Sequence, residues 1–572
     1  MRVYRDVIRE TSSHVAIRRL ERVILAGDPA DALVEAGELE QAILDARWPN
    51  RDDWDDLATT MRALCTAVAR NLLDSAPGAR ACRRESLRLL DVVQRHEIPR
   101  TLRSRRPEGY AHYGLDPVSY ARAAASYVSE VGATTAARAL VVGVRSIGTS
   151  LSAVVAAVCG AERSATVRPR GPIGSRRVAA ARGLREFVRA CTGECTDVLV
   201  VDEGPGATGE TFECVNAWLR GLGVPADRIV FLGSRGGDMP LAPERRRAWY
   251  AGVRSYRDTG HDRRPEIVAS RFGLADPVEI GGGRWRRLVP GAAILPACTG
   301  FERSKYLTTD TRGHRWQIRY AGLGPSRDES RVRAELLASR GLIAPPAAYD
   351  SGFAVLPWLN GTPLHRGERL GTSEMDAITR YLVGRHGTFA TGRAVDVEEV
   401  VGAFLENCAA VPGIPVGAMH AVIGALESLP AREAVVADAR MQPHEWIRTR
   451  TRVAKVDALE HGDGYRGPGP VDAAWDIAGA AVEFGVPATV VRRWIRECAR
   501  ASRENVEELA RATRAYAPVY AASAYAEAVL SAAEAQDPAD RRRLHGEAAF
   551  YRAAFRRCMD QGSGWTGSAT IR

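Results

Sequence analysis

From the N-terminus to about Gln94 the apolar residues recur three and four positions apart, as in Ile17, Leu20, Val23 and Ile24, which places them on one face of successive helices. Gly27-Asp28-Pro29 and Trp48-Pro49-Asn50 supply turn chemistry between those helices. A polar, proline-containing stretch over residues 97–117 leads into a further helix at residues 118–131, and then the pattern changes. Short valine-rich runs at residues 139–144, 165–167, 198–201 and 229–232 alternate with helical stretches at 150–159, 175–191 and 210–222. Runs that are apolar at every position belong to strands covered on both faces, so a parallel sheet between helices is expected. Gly281-Gly282-Gly283 marks a boundary near residues 276–296. Beyond it, residues 305–309 and 315–320 flank Thr311-Arg312-Gly313 as a hairpin. A helix at 330–339 and a strand at 353–358 follow, and from Ser373 the chain is mostly helical apart from residues 440–469.

A chain of 572 residues exceeds the roughly 250–300 that one hydrophobic core serves. The expected class is therefore multidomain α/β and α+β: a helical region over residues 1–115, a parallel-sheet domain over 116–290 and a third domain over 297–572. Hydrophobic residues at 45% and charged residues at 26% describe a chain that folds. The N-terminus mixes charges among its apolar residues, and no run approaches the roughly 18 apolar residues of a membrane span, so the reading is cytoplasmic with no membrane partner. The ten cysteines are scattered, and Cys191 with Cys195 fits a loop better than a metal site. A net charge of +10 raises nucleic acid as a partner, but Arg245-Arg246-Arg247 and Arg541-Arg542-Arg543 are short and lack interleaved aromatics, which suits solvated helix faces. Among 79 lysines and arginines only Lys305 and Lys455 are lysines, so chemistry that requires a lysine has two candidates.

The run Val198-Leu-Val-Val-Asp-Glu-Gly-Pro-Gly-Ala-Thr-Gly-Glu-Thr-Phe212 is a buried strand, two acids, a glycine-rich turn and the start of a helix. Backbone N–H groups at a helix start, with the hydroxyls of Thr208 and Thr211, suit a phosphate, and glycine permits its close approach. Asp202 and Glu203 are placed to hold ribose hydroxyls, directly or through magnesium. The stretch resembles the substrate-binding signature of type I phosphoribosyltransferases, two acids followed by T-G-x-T, with a spacer one residue longer than usual. The resemblance implies that phosphoribosyl diphosphate or a related ribose phosphate binds at Gly206, Ala207, Thr208, Gly209 and Thr211, with Asp202 and Glu203 on magnesium. It also implies that the turn after residues 139–144 takes the diphosphate, through Arg145, Ser146, Gly148 and Thr149, and that Arg168 and Arg170 belong to a loop closing over it. The implied reaction displaces diphosphate from the ribose onto a small-molecule acceptor that the residues do not identify.

The chain beyond residue 297 resembles, more distantly, the aminoglycoside-phosphotransferase branch of the kinase-like fold. The carrying residues are Trp316-Gln-Ile-Arg-Tyr320, Arg333-Ala-Glu335, residues 353–361, Val453-Ala-Lys-Val-Asp457 and Trp475-Asp476-Ile-Ala. The resemblance implies ATP, with magnesium on Asp457 and Glu445 as its second ligand. Arg319 stands where that family has a strand lysine, with Glu335 as its helix partner unless Lys305 reaches across. Aligned on Pro443, Arg440 stands at the place of the catalytic aspartate and Glu445 at that of an asparagine, while Asp476 matches a structural aspartate. Three functions follow: a phosphoribosyltransferase with an appended nucleotide-binding domain, a regulatory protein that binds both ligands without turnover, and a small-molecule kinase.

Overall fold

The computed structural model describes residues 1–560 apart from 4, 6, 75, 173, 207, 235–238, 240, 299–301, 412–415, 459–461 and 463–466. Two compact units divide the chain. The N-terminal unit is Ile8–Arg263 with Gly322–Arg327, and the C-terminal unit is Arg264–Ala321 and Asp328–Arg572 with Met1–Val7.

In the N-terminal unit the four valine-rich runs are parallel strands, joined at one edge by Ser255–Tyr256. Their spatial order is Arg163–Val167, Leu140–Val144, Val198–Val201, Ile229–Leu232, Ser255–Tyr256. Both faces are covered, which is why alternation is absent from the strands. One face packs under Leu184, Val188, Phe212, Val215 and Leu219 of the helices Arg182–Glu194 and Glu210–Gly221. The other packs against Ile147–Cys159 and the N-terminal helices in a single core that runs from Ile17 to Leu232 and takes in Leu323. The N-terminal helices thus share their core with the sheet.

The helix Pro29–Arg47 explains that arrangement. Asp28 caps it by accepting from the N–H of Asp31, and Pro29 supplies a first residue with no N–H to satisfy. It is buried on nearly every face, so its acids need cations. Arg19 meets Glu35, Arg9 meets Glu38 at 2.6 Å, and Arg62 meets Glu40 at 2.9 Å. Another expectation changes at residues 175–191. Arg177–Val178 pairs with Pro169–Arg170 as a hairpin, and the helix begins only at Arg182. The N–H of Asp52 donates to Ala179 O and that of Ala181 to Asp52 O, both at 2.7 Å, and this pairing outweighs local helix propensity.

The C-terminal unit starts at Arg264, upstream of the glycine run, because Val268 and Ala269 of the helix Arg264–Arg271 pack with Tyr306, Ile318 and Phe353. Its antiparallel sheet has the order Val278–Glu279, Lys305–Thr309, Arg315–Tyr320, Phe353–Pro357, Ala348–Asp350. The expected hairpin forms, with Asp310 Oδ1 accepting from the N–H groups of Arg312 and His314, both at 2.9 Å. Helices dominate from Thr372 onward around a core containing Trp446, Trp475 and Trp494. Among the described residues no helix is long and apolar enough to cross a membrane.

Candidate functional sites

In the N-terminal unit the strand Leu140–Val144 lies between Arg163–Val167 and Val198–Val201, so the chain turns in opposite directions from two adjacent strands. Open parallel sheets bind ligands beyond the carboxyl ends of such strands. Both segments singled out from the sequence follow those ends. Ser146 has φ 144° and ψ −104°, backbone that glycine tolerates and serine does not favour. A side chain on Gly148 would run into the carbonyl of Val201, which explains the glycine. Thr149 is fully buried in the first turn of Ile147–Cys159, and its hydroxyl has no hydrogen-bond partner among the described residues.

The acid pair is held through its backbone. Tyr120 donates to Asp202 O at 2.7 Å, and the Ser234 hydroxyl donates to Glu203 O at 2.6 Å. Burial pushes the Asp202 carboxyl up to about 7. The Glu203 carboxylate packs against Gly109, where a Cβ would come within 2.8 Å of it. Gly209 is left-handed, with φ 65°, and a side chain there would collide with Met239. Arg246 donates to Thr208 O at 2.8 Å, Arg176 reaches the Thr211 hydroxyl at 3.4 Å, and Gly206 is exposed with φ 67°. Ala207 lies outside the described residues.

The three arginines expected on the diphosphate do come together, but on two acids that sequence reading missed. Arg145 is 3% exposed and pairs with Asp52 and, at 3.2 Å, with Asp45. Arg168 pairs with Asp45 and donates its backbone N–H to Asp52 at 2.7 Å, and Arg170 meets Asp52 at 2.8 Å. Asp45 is pushed up by burial, yet the charges of Arg145 and Arg168 hold it below its ordinary range. Glu210 was also missed. Its carboxylate accepts from the N–H groups of Gly174 and Arg176, both at 2.8 Å, and ties the loop of the short hairpin to the helix start. The only signal for it was an acid inside T-G-x-T, at the positive end of a helix.

In the C-terminal unit Arg319 and Lys305 are cross-strand partners, so their side chains leave the same face of the sheet. Arg319 meets Asp457 at 2.9 Å. Lys305 turns instead to Glu302 and lies 5.4 Å from the Trp285 ring. Glu335 is exposed and pairs with Arg331 one turn earlier at 3.2 Å, so the expected lysine–glutamate or arginine–glutamate pair does not form. Asp476 accepts from the N–H groups of Asp438 and Ala439, both at 2.9 Å, which holds Ala439 in a left-handed conformation with φ 64°. That double bond fixes the start of the loop running to Glu445.

Lys455, fully buried, donates to Glu445 at 2.6 Å and to Asp457 O at 2.7 Å, and stands 3.2 Å from Asp438. Tyr381 donates to the same Asp438 carboxylate. Arg440 pairs with Glu527 at 3.0 Å and lies 3.8 Å from the second oxygen of Glu445. Burial, with Arg440 and Arg366 nearby, pushes the neighbouring His444 down to about 3, which keeps it neutral. The second ligand expected for magnesium, Glu445, is thus held between two cations. A separate open groove of about 550 Å³, lined by His314, Trp316, Trp358 and Asn360 among others, contains none of these charged residues.

No family model matches the chain, and no curated protein does. Among solved structures the chain is similar to a Plasmodium vivax ethanolamine kinase, with 13% identity and a TM-score of 0.31 over 45% of this chain and 82% of that one. It is similar to the choline kinase LicA from Streptococcus pneumoniae, with 15% identity and a TM-score of 0.33 over 50% and 97%. A third is a putative aminoglycoside phosphotransferase from Ralstonia eutropha, with 10% identity and a TM-score of 0.35 over 52% and 98%. Likeness at this level fixes neither substrate nor reaction.

Proposed function

We propose that the C-terminal unit is a nucleotide-binding, phosphotransferase-type unit of kinase-like fold. The observation that supports this reading is the double hydrogen bond from Asp476 to the Asp438 and Ala439 N–H groups. It fastens one loop beside Asp457, itself paired with a cation from the sheet. A cation from a strand and an acid from a neighbouring loop are parts found around the polyphosphate in kinase-like sites, the cation touching phosphate directly and the acid only through a metal ion. Transfer to a small alcohol is slow in this reading, because Arg440, paired with Glu527, stands where a carboxylate would orient the acceptor. Titration calorimetry of the full chain with ATP tests it: binding that Arg319→Ala weakens by about tenfold or more supports the site, and no heat from folded protein contradicts it.

A second reading concerns the N-terminal unit, where the partnerless, fully buried Thr149 hydroxyl at the switch point of the sheet favours a bound anion. The ligand is a ribose phosphate, phosphoribosyl diphosphate in the first instance, with Asp202 and Glu203 toward the sugar or its magnesium and Thr208, Gly209 and Thr211 around the 5-phosphate. Thr149→Val should leave the fold as stable as before, since the hydroxyl has no partner to lose, while weakening phosphoribosyl diphosphate by roughly threefold to tenfold. Unchanged affinity counts against the site. Release of diphosphate on adding acceptors separates turnover from binding alone.

A further inference from the structure

The strand, loop and acid arrangement of the C-terminal unit invites a divalent ion, and the residues present can be tested for it. A magnesium ion asks for about six oxygens in an octahedron, with one or two carboxylates from the protein. The candidates are Asp457 and Glu445. Asp457 Oδ1 is 2.9 Å from Arg319 Nη2, Glu445 Oε2 is 2.6 Å from Lys455 Nζ, and Glu445 Oε1 is 3.8 Å from Arg440 Nε. Each carboxylate that would face the ion already faces a protein cation. Among the described residues no group of three or more histidines, cysteines, aspartates or glutamates is placed to hold a metal.

Moving these cations aside is costly in different degrees. Lys455 is fully buried between Asp438 and Glu445, so drawing Glu445 to a metal leaves an ammonium in the interior short of one of its two carboxylates. Arg319 need not move. A guanidinium has five N–H donors in one plane and is charged at every accessible pH, so it can bond a carboxylate on one edge and phosphate oxygens on another. Lysine has no such fork, and a lysine is what the resemblance leads one to expect at this strand position.

We infer that the Arg319–Asp457 pair takes nucleotide phosphates without a divalent ion, the Arg319 guanidinium standing between Asp457 and the phosphate where a kinase-like site would hold magnesium. The inference rests on the nucleotide-binding reading and sharpens it. Lys305, opposite Arg319 on the adjacent strand and leaving the same face, is the second cation of the sheet there, and it would have to turn from Glu302 to meet the remaining phosphate charge. Asp457 then acts as a positioning residue that orients Arg319.

The test is ATP binding to the full chain by titration calorimetry, in magnesium and in chelator, with circular dichroism as the control for folding. Dissociation constants in the two buffers are expected to agree within about threefold, and Arg319→Ala should weaken binding by about tenfold or more in both. Asp457→Asn should retain binding in chelator, because it removes a carboxylate next to the phosphates and leaves the guanidinium. Binding that requires magnesium, is lost in Asp457→Asn and survives Arg319→Ala would overturn the inference while leaving the nucleotide site in place. Absence of ATP binding in either buffer, with the fold intact, overturns the nucleotide reading and the inference with it.

Discussion

Arg319 on the antiparallel sheet and Asp457 on the loop after Val453–Lys455 form an ion pair at 2.9 Å, joining residues 138 positions apart at the proposed polyphosphate site. The pair sets up a substitution whose outcome separates a point charge from a planar fork. Arg319→Lys keeps the charge but can no longer bond Asp457 and a phosphate at once. ATP binding by this variant should be weaker in chelator and recover on adding magnesium, because Asp457 is then available to the ion. A variant as indifferent to magnesium as the parent chain would show that the fork has no part in binding.

In the N-terminal unit the arginines differ in burial, which predicts different costs. Arg145→Ala leaves Asp52, fully buried, without one of its cations, and should cost roughly 3–5 kcal/mol in urea unfolding followed by fluorescence. Arg170, with its side chain 20% exposed, reaches the same Asp52, and Arg170→Ala should cost about 1 kcal/mol or less, since water can replace it. Equal costs would contradict the assignment of Arg145 as the buried member.

Asp202 carries a pH dependence of stated sign. An unperturbed aspartate titrates near 3.9, and burial raises this one to about 7. The folded state therefore keeps a proton that the unfolded state has lost, so stability falls as pH rises from about 4 to about 7 and levels off above. Asp202→Asn should flatten that slope in melting temperatures measured across the range. Ligand behaves in the opposite sense: ionised Asp202 is the better partner for ribose hydroxyls or magnesium, so phosphoribosyl diphosphate should bind more tightly from pH 6 to pH 8, and less so in the variant. Parallel profiles for both proteins would remove Asp202 from the site.

How much of this was legible beforehand depends on the range of the interactions. The strand Val198–Val201 and the turn after it could be read because burial on both faces writes an unbroken apolar run, and a tight turn writes its glycines locally. The hairpin at residues 305–320 was legible because its turn, Thr311-Arg312-Gly313, is written locally between two short strands. Asp45 and Asp52 were not, since their partners Arg145, Arg168 and Arg170 come from about 100 residues downstream and charge alone does not announce pairing. The shared core of the N-terminal helices and the parallel sheet was hidden likewise, because a helix such as Pro29–Arg47 shows its acids as a solvated face until Arg9, Arg19 and Arg62 are seen against them. Lys455 stood out as one of two lysines, yet nothing in its spacing showed that it would be sealed between Asp438 and Glu445 rather than offered to a ligand.

The most direct test of the central claim is amide hydrogen exchange of the full chain with and without saturating ATP, read peptide by peptide. Slowed exchange is expected in Arg315–Tyr320, in residues 438–445 and in residues 453–457, the segments that carry Arg319, Arg440 and Asp457, with little change in the parallel sheet of the N-terminal unit. Unchanged exchange in those three segments, or protection confined to residues 202–211, would contradict a nucleotide site in the C-terminal unit.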